Sequence, residues 1–161
     1  MVKWFNITQN QFFGLFALGI VFFVLQELPY IIMPLVHLQS NPLMEMQDRS
    51  AVLNVTEKVL GISCIVVMLF LVRGDAKWFS LSNQKEIAFF AIVMIALAGY
   101  YIGWIFYFNG FQSLPLILGL LCALPPIYYA FIGLWRGNYV LAVLGGIFLI
   151  VHTSNVWNNL K

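Results

Sequence analysis

The chain has 161 residues, of which 62% are hydrophobic and 9% are charged, and its mean hydropathy is +0.91. Because soluble domains carry about 25% charged residues, this composition excludes a soluble globular protein and predicts an integral membrane protein. The net charge of +2 comes from dispersed lysines and arginines, so no basic surface for nucleic acid is indicated.

Five segments are apolar enough to cross the roughly 30 Å hydrocarbon core of a bilayer, which needs about 20 helical residues. They cover approximately residues 11–35, 52–72, 86–108, 114–135 and 139–157. The connections between them are short, so we expect a single integral membrane domain over residues 1–161. The predicted fold is an all-α, multi-pass helical bundle whose surroundings are the lipid bilayer.

The basic residues are distributed unequally between the two sides of this bundle. The side that holds the N-terminus carries Lys3, Arg73, Lys77, Lys85 and Arg136. The other side carries Arg49, Lys58 and Lys161. The positive-inside rule therefore predicts an N-in and C-out orientation, and we expect the plasma (inner) membrane.

The first predicted span contains Glu27, and an ionisable group within the hydrocarbon is by default a candidate functional group. With 1.5 Å of rise per residue, Glu27 lies about 22 Å, and His152 of the fifth span about 20 Å, from the same boundary. A carboxylate and an imidazole that face each other favour each other's charged form. The equal depths predict a Glu27–His152 pair that acts as a proton relay, a cation site or a structural pair.

The second span has polar or small side chains at three- and four-residue spacing, which places them on one helical face. They are Ser50, Asn54, Glu57, Gly61 and Cys64. We expect an outward-opening polar pocket between the first, second and fifth spans, with Glu27, His152, Asn54 and Glu57 as candidate ligand-binding residues. Alternatively, Glu57 and Lys58 are solvated at the interface, and Glu27 extends towards them.

The third span contains the GxxxG motif Gly99-Tyr100-Tyr101-Ile102-Gly103. Small residues four apart allow a second helix to approach closely, so we expect Gly99 and Gly103 to form a helix-packing face. The helix that packs there could belong to this bundle, to a second copy in a homo-oligomer, or to a larger membrane partner.

The fourth span contains Pro125 and Pro126, which together remove two backbone donors and predict a kink or a break. Broken helices at the bilayer midplane recur at the binding sites of transporters, although proline kinks are also ordinary in membrane helices. We therefore treat Pro125, Pro126 and Pro29 of the first span as candidate kink or gating positions.

The sequence contains neither H-x-x-x-H nor H-E-x-x-H, and Cys64 and Cys122 do not form a C-x-x-C pair, so we expect no metal site and no cofactor. Three functions remain open. The pocket could bind or transport a small cation, a proton or an amphiphilic ligand. The chain could instead be a non-catalytic accessory or regulatory subunit that docks through its GxxxG face. A lipid-modifying enzyme is the third alternative, and it is disfavoured because few polar groups converge.

Overall fold

A computed structural model describes residues 2–74 and 77–160 of the chain. Five of its helices are long and apolar enough to cross a membrane, which confirms the prediction of a mainly helical protein with five candidate spans. Helix α1 covers Ala17–Ile32 and continues into a 3-10 turn at Met33–Leu35. The others are α2 at Ala51–Phe70, α3 at Gln84–Phe108, α4 at Leu114–Arg136 and α5 at Tyr139–Leu160.

The all-α prediction is wrong in one respect, because the described residues include a small antiparallel sheet. Its strands are β1 at Val2–Thr8, β2 at Gln11–Leu15 and β3 at Leu71–Arg73, in the order β1-β2-β3. Residues 11–15, predicted as the start of the first span, and residues 71–72, predicted as the end of the second, are strand residues instead. Hydropathy alone does not separate a short apolar strand from a helical turn, and aromatic residues such as those of β2 favour strands.

The sheet defines one end of the bundle, which we call the sheet end, and residues 36–50 lie at the opposite end. Strand β2 pairs with β3, and the Phe16 N–H donates to the Leu69 carbonyl at 2.8 Å, so α1 and α2 are tied together at the sheet end. The later start of α1 also places Glu27 only about 15 Å along that helix.

Among the described helices, the most extensive contacts are made by α4 with α3 and with α5. A Cβ atom at Gly133 would lie 2.5 Å from the Ala142 nitrogen, and one at Gly145 would lie 2.7 Å from the Ala130 nitrogen. Glycine at these two positions therefore allows the backbones of α4 and α5 to approach each other.

The GxxxG face of α3 packs against α4 of the same chain. A Cβ atom at Gly103 would lie 2.7 Å from the Leu120 Cβ, and one at Gly99 would lie 2.9 Å from the Leu124 Cδ1. The sequence left open which helix packs against Gly99 and Gly103. In the structure, that helix is α4 of the same bundle.

Helix α4 is π-helical over Ile117–Cys122, immediately before Pro125 and Pro126. The Ala123 N–H donates to the Leu118 carbonyl, five residues earlier, at 3.0 Å. The two prolines have no N–H for the carbonyls four residues before them, so the regular hydrogen-bond ladder is interrupted here. A gating role for this interruption stays a prediction.

Helix α1 is fastened to the bundle by three tyrosine hydroxyls. Pro29 lies inside α1 and has no N–H for the Leu25 carbonyl, and the Tyr101 hydroxyl donates to that oxygen at 2.7 Å. The Tyr128 hydroxyl donates to the Phe22 carbonyl at 3.0 Å, and the Tyr129 hydroxyl donates to the Gln26 Oε1 at 2.5 Å. These contacts fix the rotation of α1 and therefore the direction in which Glu27 points.

Candidate functional site

A cavity of about 660 Å³ lies between α1, α2, α4 and α5, nearer to the end that holds residues 36–50. This volume is within the range of about 300–1,000 Å³ that is typical of small-molecule sites. Leu43 and Met46 of the 36–50 segment also line it, and most of the remaining wall is aliphatic or aromatic. Its charged and amide side chains are Gln26, Glu27, Glu57, Lys58, His152 and Asn155.

The wall formed by α2 and α5 contains a hydrogen-bonded group centred on Glu57. The Glu57 Oε1 lies 2.6 Å from the His152 Nδ1, and the Asn155 amide donates to the Glu57 Oε2. The His152 side chain is 11% exposed and that of Glu57 is 21% exposed, so most of the surface of both side chains is buried. Both oxygens of Glu57 are therefore engaged. We call Glu57, His152 and Asn155 the Glu57 cluster.

Asparagines extend the Glu57 cluster away from the sheet end. The Asn159 amide donates to the Asn54 Oδ1 at 3.2 Å and to the Asn155 Oδ1 at 3.4 Å. The Asn159 Oδ1 accepts a hydrogen bond from the backbone N–H of Arg49 at 3.2 Å. Asn54, a predicted ligand-binding residue, therefore lies in this buried network and outside the wall of the cavity.

The cluster forms because two helical stripes face each other. On α2 the stripe is the predicted one, which runs from Ser50 to Cys64. On α5 it consists of His152, Asn155 and Asn159, which recur at three- and four-residue spacing. The ring of Phe148 stacks on that of His152 at 5.0 Å, and a Cβ at Gly61 would lie 3.4 Å from the Phe148 ring.

Glu27 lies on the α1 wall of the same cavity and has a different environment. It is half-buried, and within residues 2–74 and 77–160 it forms no hydrogen bond or ion pair. The Glu27–His152 pair expected from the sequence is therefore not formed, because His152 is bonded to Glu57 instead. The cavity nevertheless brings Glu27, Glu57 and His152 to its walls together.

The cavity opens along one edge of α2. Of the described lining residues, Lys58 and Ile62 are the exposed ones, and they are one helical turn apart. Ile62 is 62% exposed. Ile62 lies near the middle of α2, a helix that is apolar enough to cross a membrane, and Lys58 lies nearer the helix end.

Two buried donors lie behind Tyr30, an aromatic residue of the cavity wall. The Tyr30 ring lies 5.1 Å from the Trp104 ring and 6.5 Å from the Tyr100 ring. The Tyr100 hydroxyl and the Trp104 indole N–H are both without a hydrogen-bond partner among the described residues. Buried polar groups are normally hydrogen-bonded. The two α3 donors behind Tyr30 are therefore less completely hydrogen-bonded than the polar groups of the Glu57 cluster.

Sequence reasoning missed several polar residues of the site. Asn155 and Asn159 share the face of His152, and the periodicity of the fifth span could have identified them. Gln26 and Tyr129 are joined by a contact between residues more than 100 positions apart, and no local pattern indicates such a pair.

The site offers few of the arrangements that catalysis or metal binding requires. Across the described ranges, no group of three or more His, Cys, Asp or Glu side chains could hold a metal ion. Cys122 also lines the cavity, but no hydrogen bond joins it to His152 in the described part of the chain. The Glu57–His152 pair is therefore not seen to activate this thiol.

No protein-family model matches the chain, and neither a curated protein nor a solved structure matches it. The cavity, the Glu57 cluster and Glu27 are therefore the features that bear on function. Glu57 and Glu27, the two carboxylates of the cavity, differ in their partners.

Proposed function

We propose that the protein binds, in the cavity between α1, α2, α4 and α5, an amphiphilic ligand with a cationic head. The head carries a protonated amine that contacts Glu27, and the tail lies against the aliphatic and aromatic wall. The observation that carries this proposal is the half-buried carboxylate of Glu27, which has no partner in the described residues. A half-buried carboxylate without a partner loses part of its solvation, and a ligand cation would offset that cost.

The composition of the wall favours an amphiphile over a bare metal cation. Hard cations take about six or more oxygen ligands, whereas Glu57 already uses both of its oxygens within its own cluster. A cavity of about 660 Å³ also has room for many more atoms than one ion and its first hydration shell.

The position of the opening supports entry of the ligand from the bilayer. Ile62 at the opening is strongly exposed on a helix that is apolar enough to span a membrane. A ligand with an apolar tail concentrates in lipid and could reach the cavity along this edge of α2. With the N-in and C-out orientation in the plasma (inner) membrane, the opening would lie in the outer half of the bilayer.

The two alternatives from the sequence receive less support. A partner that docked on an accessory subunit through Gly99 and Gly103 would have to displace Leu120 and Leu124 of the same chain, which lie against these glycines. A lipid-modifying enzyme would need a group activated by the Glu57–His152 pair, and the described contacts include none. Neither role is favoured by a specific contact.

The proposal is tested with amphiphiles that share a twelve-carbon tail and differ in the head: dodecylamine, dodecanol and dodecanoic acid. The full chain is held in maltoside micelles, and its thermal unfolding is followed as each compound is titrated. We expect dodecylamine to raise the melting temperature and the other two compounds to raise it much less. Loss of one charge-assisted contact in Glu27→Gln should weaken dodecylamine binding by about tenfold to a hundredfold.

The matched control is Glu45→Gln, since Glu45 is exposed in the 36–50 segment and does not line the cavity. It removes the same charge and should leave dodecylamine binding unchanged. Equal binding to the parent protein and to Glu27→Gln, or a preference for dodecanoic acid, would refute the proposal.

A further inference from the structure

The two ring nitrogens of His152 differ in their hydrogen bonding. Its Nδ1 lies 2.6 Å from the Glu57 Oε1, whereas its Nε2 makes no hydrogen bond within residues 2–74 and 77–160. The Asn155 amide donates to the other Glu57 oxygen, as expected for an ionised carboxylate, which only accepts. Nδ1 therefore carries a proton whether the ring is neutral or charged. The atom that gains or loses a proton is Nε2.

His152 shares the cavity wall with few charged groups. Among the described lining residues, the charged or chargeable ones on three helices are Glu27 of α1, Glu57 and Lys58 of α2, and His152 of α5. The other titratable lining residues are phenols and a thiol, which ordinarily carry no charge between about pH 5.5 and 8: Tyr30 of α1, and Cys122 and Tyr129 of α4. The two lining residues of the 36–50 segment, Leu43 and Met46, do not titrate.

The net charge of this set depends on His152. The two carboxylates and the one ammonium leave a single negative charge when the imidazole is neutral, and a proton on Nε2 cancels that charge. Histidine is the side chain whose charge ordinarily changes between about pH 5 and 8. A protonated His152 and a cationic ligand head are therefore alternative ways to neutralise the same cavity.

The two cations oppose each other when both are present. A cavity of about 660 Å³ is roughly 10 Å across, and two unit charges at that separation, with an effective dielectric constant of about 20, change an affinity about tenfold. Linkage is reciprocal, so a bound cation weakens proton binding by the same factor. The position of both groups on one cavity thus couples them without any movement of the helices.

We propose that this cavity exchanges a proton for an organic cation: binding of the cationic head beside Glu27 releases the Nε2 proton of His152 to water. The inference rests on the proposed function, because it requires a cationic ligand at Glu27. In the exchange the Nε2–H bond breaks, its electron pair stays on the nitrogen, and the proton joins a water molecule. The head keeps its own protons. Neutral His152 still donates to Glu57 through Nδ1, so the α2–α5 wall is retained.

The test uses the full chain in maltoside micelles and dodecylamine, whose ammonium, like that of lysine, stays charged between about pH 5.5 and 8. We expect its affinity to be about tenfold higher at the upper end of this range than at the lower end. Calorimetry in two buffers of different ionisation enthalpy counts the protons released on binding. We expect proton release that declines as the pH rises, and binding with no release at any pH would overturn the exchange.

The variant that identifies the group is His152→Asn, whose amide can donate to Glu57 in place of Nδ1 and which has no Nε2. Its affinity for dodecylamine should vary less than about twofold over the same pH range. The matched control is His37→Asn, since His37 is the other histidine of the chain, is exposed, and does not line this cavity. It should keep the full pH dependence. An unchanged pH dependence in His152→Asn would assign the proton to another group and overturn the inference.

Failure of the proposed function gives a different result from failure of the exchange. If dodecylamine does not bind, or binds the parent protein and Glu27→Gln equally at every pH, both ideas are overturned. If dodecylamine binds through Glu27 with one affinity across the pH range, the proposed function stands and the proton exchange alone is overturned.

Discussion

The two carboxylates of the cavity belong to walls that are built in different ways. On the α2–α5 wall, Glu57 is bonded through both oxygens, to His152 and to Asn155. On the α1 wall, the tyrosine hydroxyls bond to carbonyl and amide oxygens, and Glu27 has no partner among residues 2–74 and 77–160. The same residue type in the same cavity therefore has two environments. We infer that the carboxylate whose neighbours satisfy it stabilises the fold, and under the proposed function the unsatisfied one contacts the ligand.

The largest effect is expected at the α2–α5 wall. Glu57→Ala leaves His152 and Asn155 largely buried without their acceptor, and should lower the free energy of unfolding by about 2–4 kcal/mol. The measurement is unfolding of the full chain in micelles, with Glu45→Ala as an exposed control that should cost less than about 0.5 kcal/mol. Equal stability of Glu57→Ala and Glu45→Ala would show that the Glu57 cluster does not stabilise the fold.

A smaller loss is expected where α1 meets α4. Tyr129→Phe removes the donor to the buried Gln26 amide oxygen and should cost about 1–2 kcal/mol. Tyr100→Phe is the matched control, because it removes an equally buried hydroxyl that has no partner in the described structure. It should be neutral or slightly stabilising. Equal losses of stability in Tyr129→Phe and Tyr100→Phe would show that the hydrogen bond from Tyr129 to Gln26 does not stabilise the fold.

The contact between α1 and α3 should contribute about 1 kcal/mol and should depend on Pro29. Tyr101→Phe leaves the Leu25 carbonyl without a donor as long as residue 29 has no N–H. In a Pro29→Ala background the helix supplies that donor itself, so the same change should then cost much less. A double-mutant cycle measures the difference, and a coupling energy near zero would contradict this account of the kink.

The smallest effect on stability is expected at Glu27. Glu27→Gln should change the free energy of unfolding by no more than about 0.5 kcal/mol, because no described contact is lost. The comparison with Glu57→Gln in the same unfolding assay is the most direct one, since the two substitutions are chemically identical. A loss at Glu27 as large as that at Glu57 would assign both carboxylates to the structure.

The spans could be predicted from the sequence because their signal is local. Runs of apolar residues identify five helices whatever their neighbours are. The same runs led to residues 11–15, which form a strand, being predicted as part of the first span. The stripe on α2 was also visible, because it depends only on helical periodicity. The partner of His152 was not visible, because it depends on the packing of α2 against α5, which brings Glu57 to the His152 ring. The direction of Glu27 depends on the rotation of α1. Three hydroxyls from α3 and α4 set that rotation, over separations of 76 or more residues.

The small sheet has a mechanical consequence for the cavity. It clamps α1 to α2 at one end through β2, β3 and the Phe16–Leu69 hydrogen bond. The cavity that both helices line lies towards the other end, beyond that clamp. A change in the angle between α1 and α2 that keeps these hydrogen bonds would leave the sheet end in place. It would displace the two helices more with increasing distance from the sheet, and the part displaced includes the cavity walls at Glu27 and Lys58.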